Sequence, residues 1–235
     1  MKFNIQVCVI TGLTALVLMA CSNHEAQTAT QNAVPTKTDV STPAMTEVRS
    51  EVTKIVFLGD SLTAGYGLPS SQAWPEQVQK RLKTAGYITQ IINAGVSGDN
   101  TANGLARYDW SVGSADADIL VLALGANDFL QGVPPETMRQ NLKSIIEKAQ
   151  ADGLTIILAG VASPQVELLG SRGKAYASVY SELAKEYKLS YFPSILEGVS
   201  GRPELLQRDG LHPTKAGVEI MADRFTSYIS GVLDK

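Results

Sequence analysis

Short apolar runs alternate with longer amphipathic segments from residue 53 to the C-terminus. The runs span residues 53–58, 88–93, 118–124, 154–160 and 190–192. Runs of this length, rich in Val and Ile, read as strands, and the near-continuous apolar ones read as strands buried on both faces. The run at 118–124 is the most continuous and is expected at the centre of the sheet. Between the runs, helical spacing predicts a helix over 74–84, where Val78 and Leu82 share a face, Pro75 sits in the first turn and Gly86 ends it. A second helix starts near Asn100 and Thr101 and carries Leu105, Tyr108 and Trp110. A long helix over 135–151 places Met138, Leu142, Ile145, Ile146 and Ala149 on one face, and Gly153 closes it. Further helices are predicted over 174–187 and from a Thr214 cap to about residue 229, with an irregular stretch at 197–208. Strands alternating with helices of this length mean βαβ units: an α/β parallel sheet of about five strands, doubly wound by right-handed crossovers, with helices on both faces.

The first 52 residues do not follow this pattern. Residues 1–20 read as a secretory signal, with Lys2 ahead of an apolar stretch that Thr11, Gly12 and Thr14 interrupt. They end in Leu18-Met19-Ala20-Cys21, which resembles the lipobox of bacterial lipoproteins. That resemblance implies cleavage before Cys21 and lipidation there; ordinary signal cleavage, with Cys21 incidental, is the alternative. Residues 21–52 are polar, without aromatic residues or apolar period, and read as a disordered tether. About 30 such residues reach roughly 30 Å as a flexible coil. The remaining unit, residues 53–235, is the expected globular domain. The chain is thus expected to be exported and held on a bacterial membrane through Cys21.

Composition removes several kinds of chemistry. The net charge is −3 and no basic run occurs, so nucleic acid is not an expected partner. The only cysteines are Cys8 and Cys21, so the globular part has no disulfide, no thiolate metal ligand and no cysteine nucleophile. The only histidines are His24 and His212, which excludes a His-rich metal site. No metal and no cofactor are expected.

Four polar, glycine-containing segments fall at predicted strand ends or just before the last helix. They are Gly59-Asp60-Ser61, Gly95-Val96-Ser97-Gly98, Gly125-Ala126-Asn127-Asp128 and Asp209-Gly210-Leu211-His212. In a parallel sheet the strands' carboxyl ends converge, and ligands bind there. Gly, Asp and Ser are also ordinary turn residues, so Gly59-Asp60-Ser61 alone reads equally as a turn or a helix N-cap. A serine hydroxyl needs an adjacent base to become nucleophilic, and His212 is the single histidine of the domain. Asp209, three residues earlier, is placed to orient that imidazole; a bare helix lead-in ahead of Pro213 is the alternative for His212. An oxyanion needs fixed donors, and the backbone N–H of Ser61, the N–H of Gly95 and the side-chain amide of Asn127 are the candidates. The Gly-x-Ser-x-Gly elbow of α/β-hydrolases is absent, because Thr63 stands where its second glycine belongs. No phosphate-binding glycine loop is present either.

The four segments, in this order, resemble the four blocks of the SGNH/GDSL hydrolases. The stretch from Leu62 to Gly67, with Trp74-Pro75, is similar to the bacterial thioesterase I / lysophospholipase L1 / arylesterase group. The resemblance implies a three-layer flavodoxin-like sheet in the order 2-1-3-4-5. It implies Ser61 as nucleophile, His212 as base, Asp209 as orienter, and Ser61, Gly95 and Asn127 as oxyanion donors. It also implies hydrolysis of carboxylic esters or thioesters, such as aryl esters, short or medium acyl esters or lysophospholipids, through an acyl-enzyme. Asp60, Phe129, Leu130, Leu168 and Leu169 are the expected substrate-pocket residues; packing of the loop onto the core is the alternative for the apolar ones. Two other functions fit the same residues: an O-acetylesterase of polysaccharides, and a non-catalytic lipoprotein that binds acyl or glycan ligands.

Overall fold

The computed structural model describes residues 52–161 and 170–235. The expectations placed on residues 1–51, including the signal, most of the tether and Cys21, lie outside the described residues, as do Leu168 and Leu169.

Five parallel strands form one sheet: β1 (Thr53–Gly59), β2 (Thr89–Gly95), β3 (Ile119–Ala123), β4 (Thr155–Ala159) and β5 (Ser190–Phe192). Their spatial order is β2-β1-β3-β4-β5, with every pairing parallel. The central place of β3 follows from its sequence, since Ile119 to Ala123 are all buried. Strand β2 is only half-buried because it is an edge strand. It runs two residues further than its apolar run suggests, since Ala94 and Gly95 keep pairing with Leu58 and Gly59.

Eight helices are described: α1 (Ser61–Ala64), α2 (Trp74–Thr84), α3 (Thr101–Ala106), α4 (Tyr108–Ser111), α5 (Ala126–Gln131), α6 (Pro135–Ala151), α7 (Gly170–Glu186) and α8 (Lys215–Leu233). Helices α2 and α8 pack together, and so do α3, α6 and α7. Between the sheet and the α2–α8 layer lies an aromatic cluster. Phe57 of β1 meets Trp74 and Phe225 edge-on at centroid distances of 4.9 and 5.6 Å, and Phe192 of β5 meets Phe225 at 5.2 Å. Edge-to-face pairs of this kind add to the apolar burial. On the outer side of that layer Arg81 bonds both Glu219 and Asp223. Apolar residues of α6 at helical spacing, Met138, Leu142, Ile145, Ile146 and Ala149, are all buried as expected.

The helix expected to carry Leu105, Tyr108 and Trp110 is two short helices instead. The break falls at Arg107, whose backbone leaves the helical region (φ −103°, ψ 6°) while its guanidinium turns inward to polar partners. Tyr108 is buried and Trp110 is exposed. Helices α1 and α5 were not legible from apolar spacing, because four to six residues span at most two turns.

Candidate active site

Ser61 lies immediately beyond β1 as the first residue of α1. The preceding Asp60 creates this turn: its side chain accepts the N–H of Leu62 at 2.9 Å and its carbonyl accepts the N–H of Ala64 at 2.9 Å. Gly59 leaves room for it, since a Cβ there would sit 2.0 Å from the Thr63 hydroxyl oxygen. The sheet thus delivers the Ser61 hydroxyl, half-buried, at its carboxyl edge.

His212 reaches the same edge from the loop ahead of α8. Thr214 caps that helix, and an antiparallel bridge between Leu206 and Pro213 closes the loop. Within it Gly210 takes a φ of +69°, the left-handed turn that glycine accepts freely. Asp209 Oδ1 accepts the N–H groups of Leu211 at 2.9 Å and His212 at 3.0 Å. Its Oδ2 lies 2.7 Å from His212 Nδ1, and His212 Nε2 lies 2.8 Å from Ser61 Oγ. A carboxylate on Nδ1 fixes the tautomer with its proton there and leaves Nε2 as acceptor for the serine hydroxyl. The Asp209 carboxyl is pulled down to about 2, first by the hydrogen bond from His212 and then by the two backbone N–H groups.

Asn127 occupies the first turn of α5 and lines the cavity beside Ser61. One hydrogen of its amide is donated to the Asp99 carbonyl at 2.8 Å, which orients the group and leaves the other hydrogen for a ligand. Gly95 does not share this position, which corrects the sequence assignment. Its N–H is donated to Asn93 Oδ1 at 3.0 Å, and a Cβ on it would meet the Ala64 nitrogen at 2.3 Å. Gly95 is a close-packing residue between β2 and α1. From the same segment it is Gly98 that lines the cavity, with a φ of +90°. The N–H groups of Ser61 and Gly98 have no acceptor among the described residues. The repeated glycine of Gly95-Val96-Ser97-Gly98 was the available signal, but spacing alone does not say which of the two faces the ligand.

A match to the GDSL-like lipase/acylhydrolase family spans residues 57–220, which holds all four segments. The chain belongs to this family. It is 39% identical over 163 residues to the esterase TesA of Pseudomonas aeruginosa, covering 69% of this chain and 80% of that one. It is 32% identical over 173 residues to the thioesterase 1/protease 1/lysophospholipase L1 of Escherichia coli, covering 72% of this chain and 79% of that one. Among solved structures, a crystal structure of TesA superposes with a TM-score of 0.71 at 35% identity, covering 75% of this chain and 98% of that one. AlinE4, an SGNH-hydrolase family esterase, superposes with a TM-score of 0.64 at 37% identity, covering 78% and 97%.

In this GDSL-like domain the serine and histidine open onto a cavity of about 570 Å³. Its walls are mostly apolar side chains, as an acyl site requires. Phe129 and Leu130 line it as expected. Phe129 is held by an edge-on contact with Tyr176 at 5.1 Å and by Arg172 above its ring at 4.8 Å. Asp60 does not line the cavity, a second correction. It is fully buried beneath Ser61, and burial pushes its carboxyl up to about 6. Tyr66, Val161, Tyr180, Leu196 and Leu206 also line the walls and were not singled out from sequence. They come from five separate segments that only the fold assembles; Tyr66 alone lay inside a motif stretch.

Proposed function

We propose that this chain hydrolyses carboxylic esters and thioesters through an acyl-enzyme on Ser61. The observation that carries the reading is the Asp209–His212–Ser61 line at 2.7 and 2.8 Å, opening on an apolar cavity. Ser61 attacks the ester carbonyl while His212 Nε2 takes its proton. The tetrahedral oxyanion is held by the N–H groups of Ser61 and Gly98 and by the Asn127 amide. His212 then returns the proton to the leaving alcohol or thiol. Water repeats the cycle and frees the acid. The base must be neutral at the start of each cycle, so that Nε2 can take the serine proton. The cavity favours acyl chains over sugar rings, and the similarity to a lysophospholipase extends the substrate class to lysolipids. Ser61→Ala abolishes turnover of an aryl acetate on this reading, and a fluorophosphonate labels the wild type but not the variant. Activity retained by Ser61→Ala would refute it.

The same proposal includes the cell address. Leu18-Met19-Ala20-Cys21 and the polar stretch behind it support export and a lipid anchor on Cys21. Cys21→Ser then moves the protein from the membrane to the soluble fraction; unchanged partitioning would count against lipidation.

A further inference from the structure

Ser61 and His212 stand 151 residues apart in sequence, one opening helix α1 and the other in the loop ahead of α8. Something must hold those loops in register for Nε2 to stay 2.8 Å from Oγ. Apart from the Ser61–His212 bond itself, the hydrogen bond between residues 61–67 and 205–213 among the described residues is the one from the Gln207 side chain to the Tyr66 carbonyl.

Gln207 makes four hydrogen bonds to these two segments. Its backbone N–H donates to the His212 carbonyl at 2.7 Å, while its own carbonyl accepts from Gly210 at 2.9 Å, which closes the turn that carries Asp209. Its amide Nε2 donates to the Tyr66 carbonyl at 2.7 Å and to the Pro213 carbonyl at 2.9 Å. Tyr66 in turn donates its N–H to the Ser61 carbonyl at 3.0 Å. The amide oxygen packs over Gly67, where a Cβ would meet it at 2.2 Å. The route from nucleophile to base is therefore Ser61, Tyr66, Gln207, then His212 and Pro213. The Tyr66 ring closes a second link, lying against the imidazole with centroids 4.4 Å apart and planes tilted by 37°.

The residue types suit this task. A planar primary amide has two hydrogens and can serve two carbonyls at once. A glutamate in its place would set a carboxylate against two carbonyl oxygens. An aromatic face against an imidazole blocks rotation of the ring on one side and attracts its charged form.

We propose that Gln207 and Tyr66 act as a brace that positions His212 on Ser61: Gln207 fixes the two loops, and the Tyr66 ring backs the imidazole and favours the imidazolium formed during attack. The inference rests on the reading of His212 as the base. The titratable groups facing the imidazole are Asp209 from its own loop, Asp60 from the end of β1 and Tyr66 from the turn after α1.

The test uses Gln207→Met, which keeps length and loses both donors, with Tyr66→Phe and Tyr66→Leu. The rate of Ser61 labelling by a fluorophosphonate and the pH profile of nitrophenyl acetate hydrolysis are measured for each. Gln207→Met is expected to lower both kcat and the labelling rate on the order of tenfold or more, with KM unchanged. Tyr66→Leu is expected to lower kcat roughly two- to fivefold and to move the acid limb down by about half a pH unit, as the imidazolium loses its aromatic partner. Tyr66→Phe keeps the ring and restores both. An unchanged labelling rate in folded Gln207→Met overturns the brace, as does a Tyr66→Leu profile that superposes on the wild type. If Gln207→Met fails to fold, the Tyr66 pair decides alone. Absence of labelling in the wild type would instead refute the nucleophile assignment, so the two failures are distinct.

Discussion

Arg107 Nη2 donates to the carbonyl oxygen of Gly59 at 2.9 Å, two residues before Ser61. The same guanidinium bonds Asp99 through Nε at 2.6 Å and the Ser111 hydroxyl through Nη1 at 3.0 Å, and its side chain is 8% exposed. Asp99 lends its carbonyl to Asn127. One buried cation thus ties the end of β1 to the loop after β2, and through Asp99 to the first turn of α5. Arg107→Leu is expected to cost about 3 kcal/mol in denaturant unfolding, because the half-buried Asp99 carboxylate loses its ion partner and the Gly59 carbonyl its donor. Arg107→Lys falls between the two, since an ammonium lacks the planar fork that serves three partners at once.

Asn127→Ala is expected to lower kcat by about 10²–10³ on nitrophenyl acetate, with a small change in KM, because the amide acts on charge that develops in the transition state. A loss confined to KM would place Asn127 in ground-state binding instead.

The two glycines of the second segment should separate by assay. In Gly95→Ala the new Cβ meets backbone atoms of Thr63 and Ala64 at 2.7 and 2.3 Å, so thermal stability should fall. In Gly98→Ala nothing lies within 4 Å, but the φ of +90° is strained for alanine. Its cost in stability should be about 1–3 kcal/mol at most, with kcat falling as the N–H is redirected. Equal melting temperatures for wild type and Gly95→Ala would contradict the packing role.

Asp60 carries a signed pH dependence. Burial raises its carboxyl from 3.8 to about 6 in the fold, so the native state prefers it protonated. Its contribution to stability is fully present below the unfolded value of 3.8 and is lost as pH rises through about 6. Asp60→Asn keeps an oxygen for the Leu62 N–H and cannot ionise. Relative to the wild type, its stability should therefore improve between pH 4 and pH 7, by up to about 3 kcal/mol. Melting curves of both proteins across that range check the slope; parallel curves would contradict it.

Asp209 behaves in the opposite sense. Its carboxyl is lowered to about 2, so it stays ionised throughout the range in which an imidazole titrates. Any stability it contributes is present above 3.8 and disappears only as pH falls through about 2. Asp209→Asn can still accept the Leu211 and His212 N–H groups through its oxygen, so the loop should fold. Its kcat should drop on the order of 10²–10⁴, because the amide neither enforces the tautomer nor balances the imidazolium. Circular dichroism and steady-state kinetics at neutral pH measure the two effects.

The chain's apolar periods were enough for the sheet and its long helices. Residues 74–84, 135–151 and 190–192 read correctly because each carries a clean local period or a bounded apolar run. Helices α1 and α5 are too short to show a period, and the break at Arg107 depends on partners at Gly59 and Asp99 that local pattern does not reveal. Ser61, Asp209 and His212 were legible because the chain offers one histidine to one domain and because Asp209 sits a single turn away. The misplacement of Gly95 has a plain cause. Two glycines three residues apart have the same local signature, and only the packing of β2 on α1 shows which is enclosed.

The sequence by itself determined the alternation of strands and helices, the lack of cysteine and of a second histidine in residues 53–235, and which serine, histidine and aspartate the fold brings together. Those are properties of composition and of contacts a few residues apart. The tertiary structure decided that Gly98 rather than Gly95 borders the cavity, that Asp60 is buried as a cap, and that Gln207 and Tyr66 join the loops of Ser61 and His212. Each of these depends on atoms brought together from distant segments. Local propensity carries no information about such contacts until the sheet has closed.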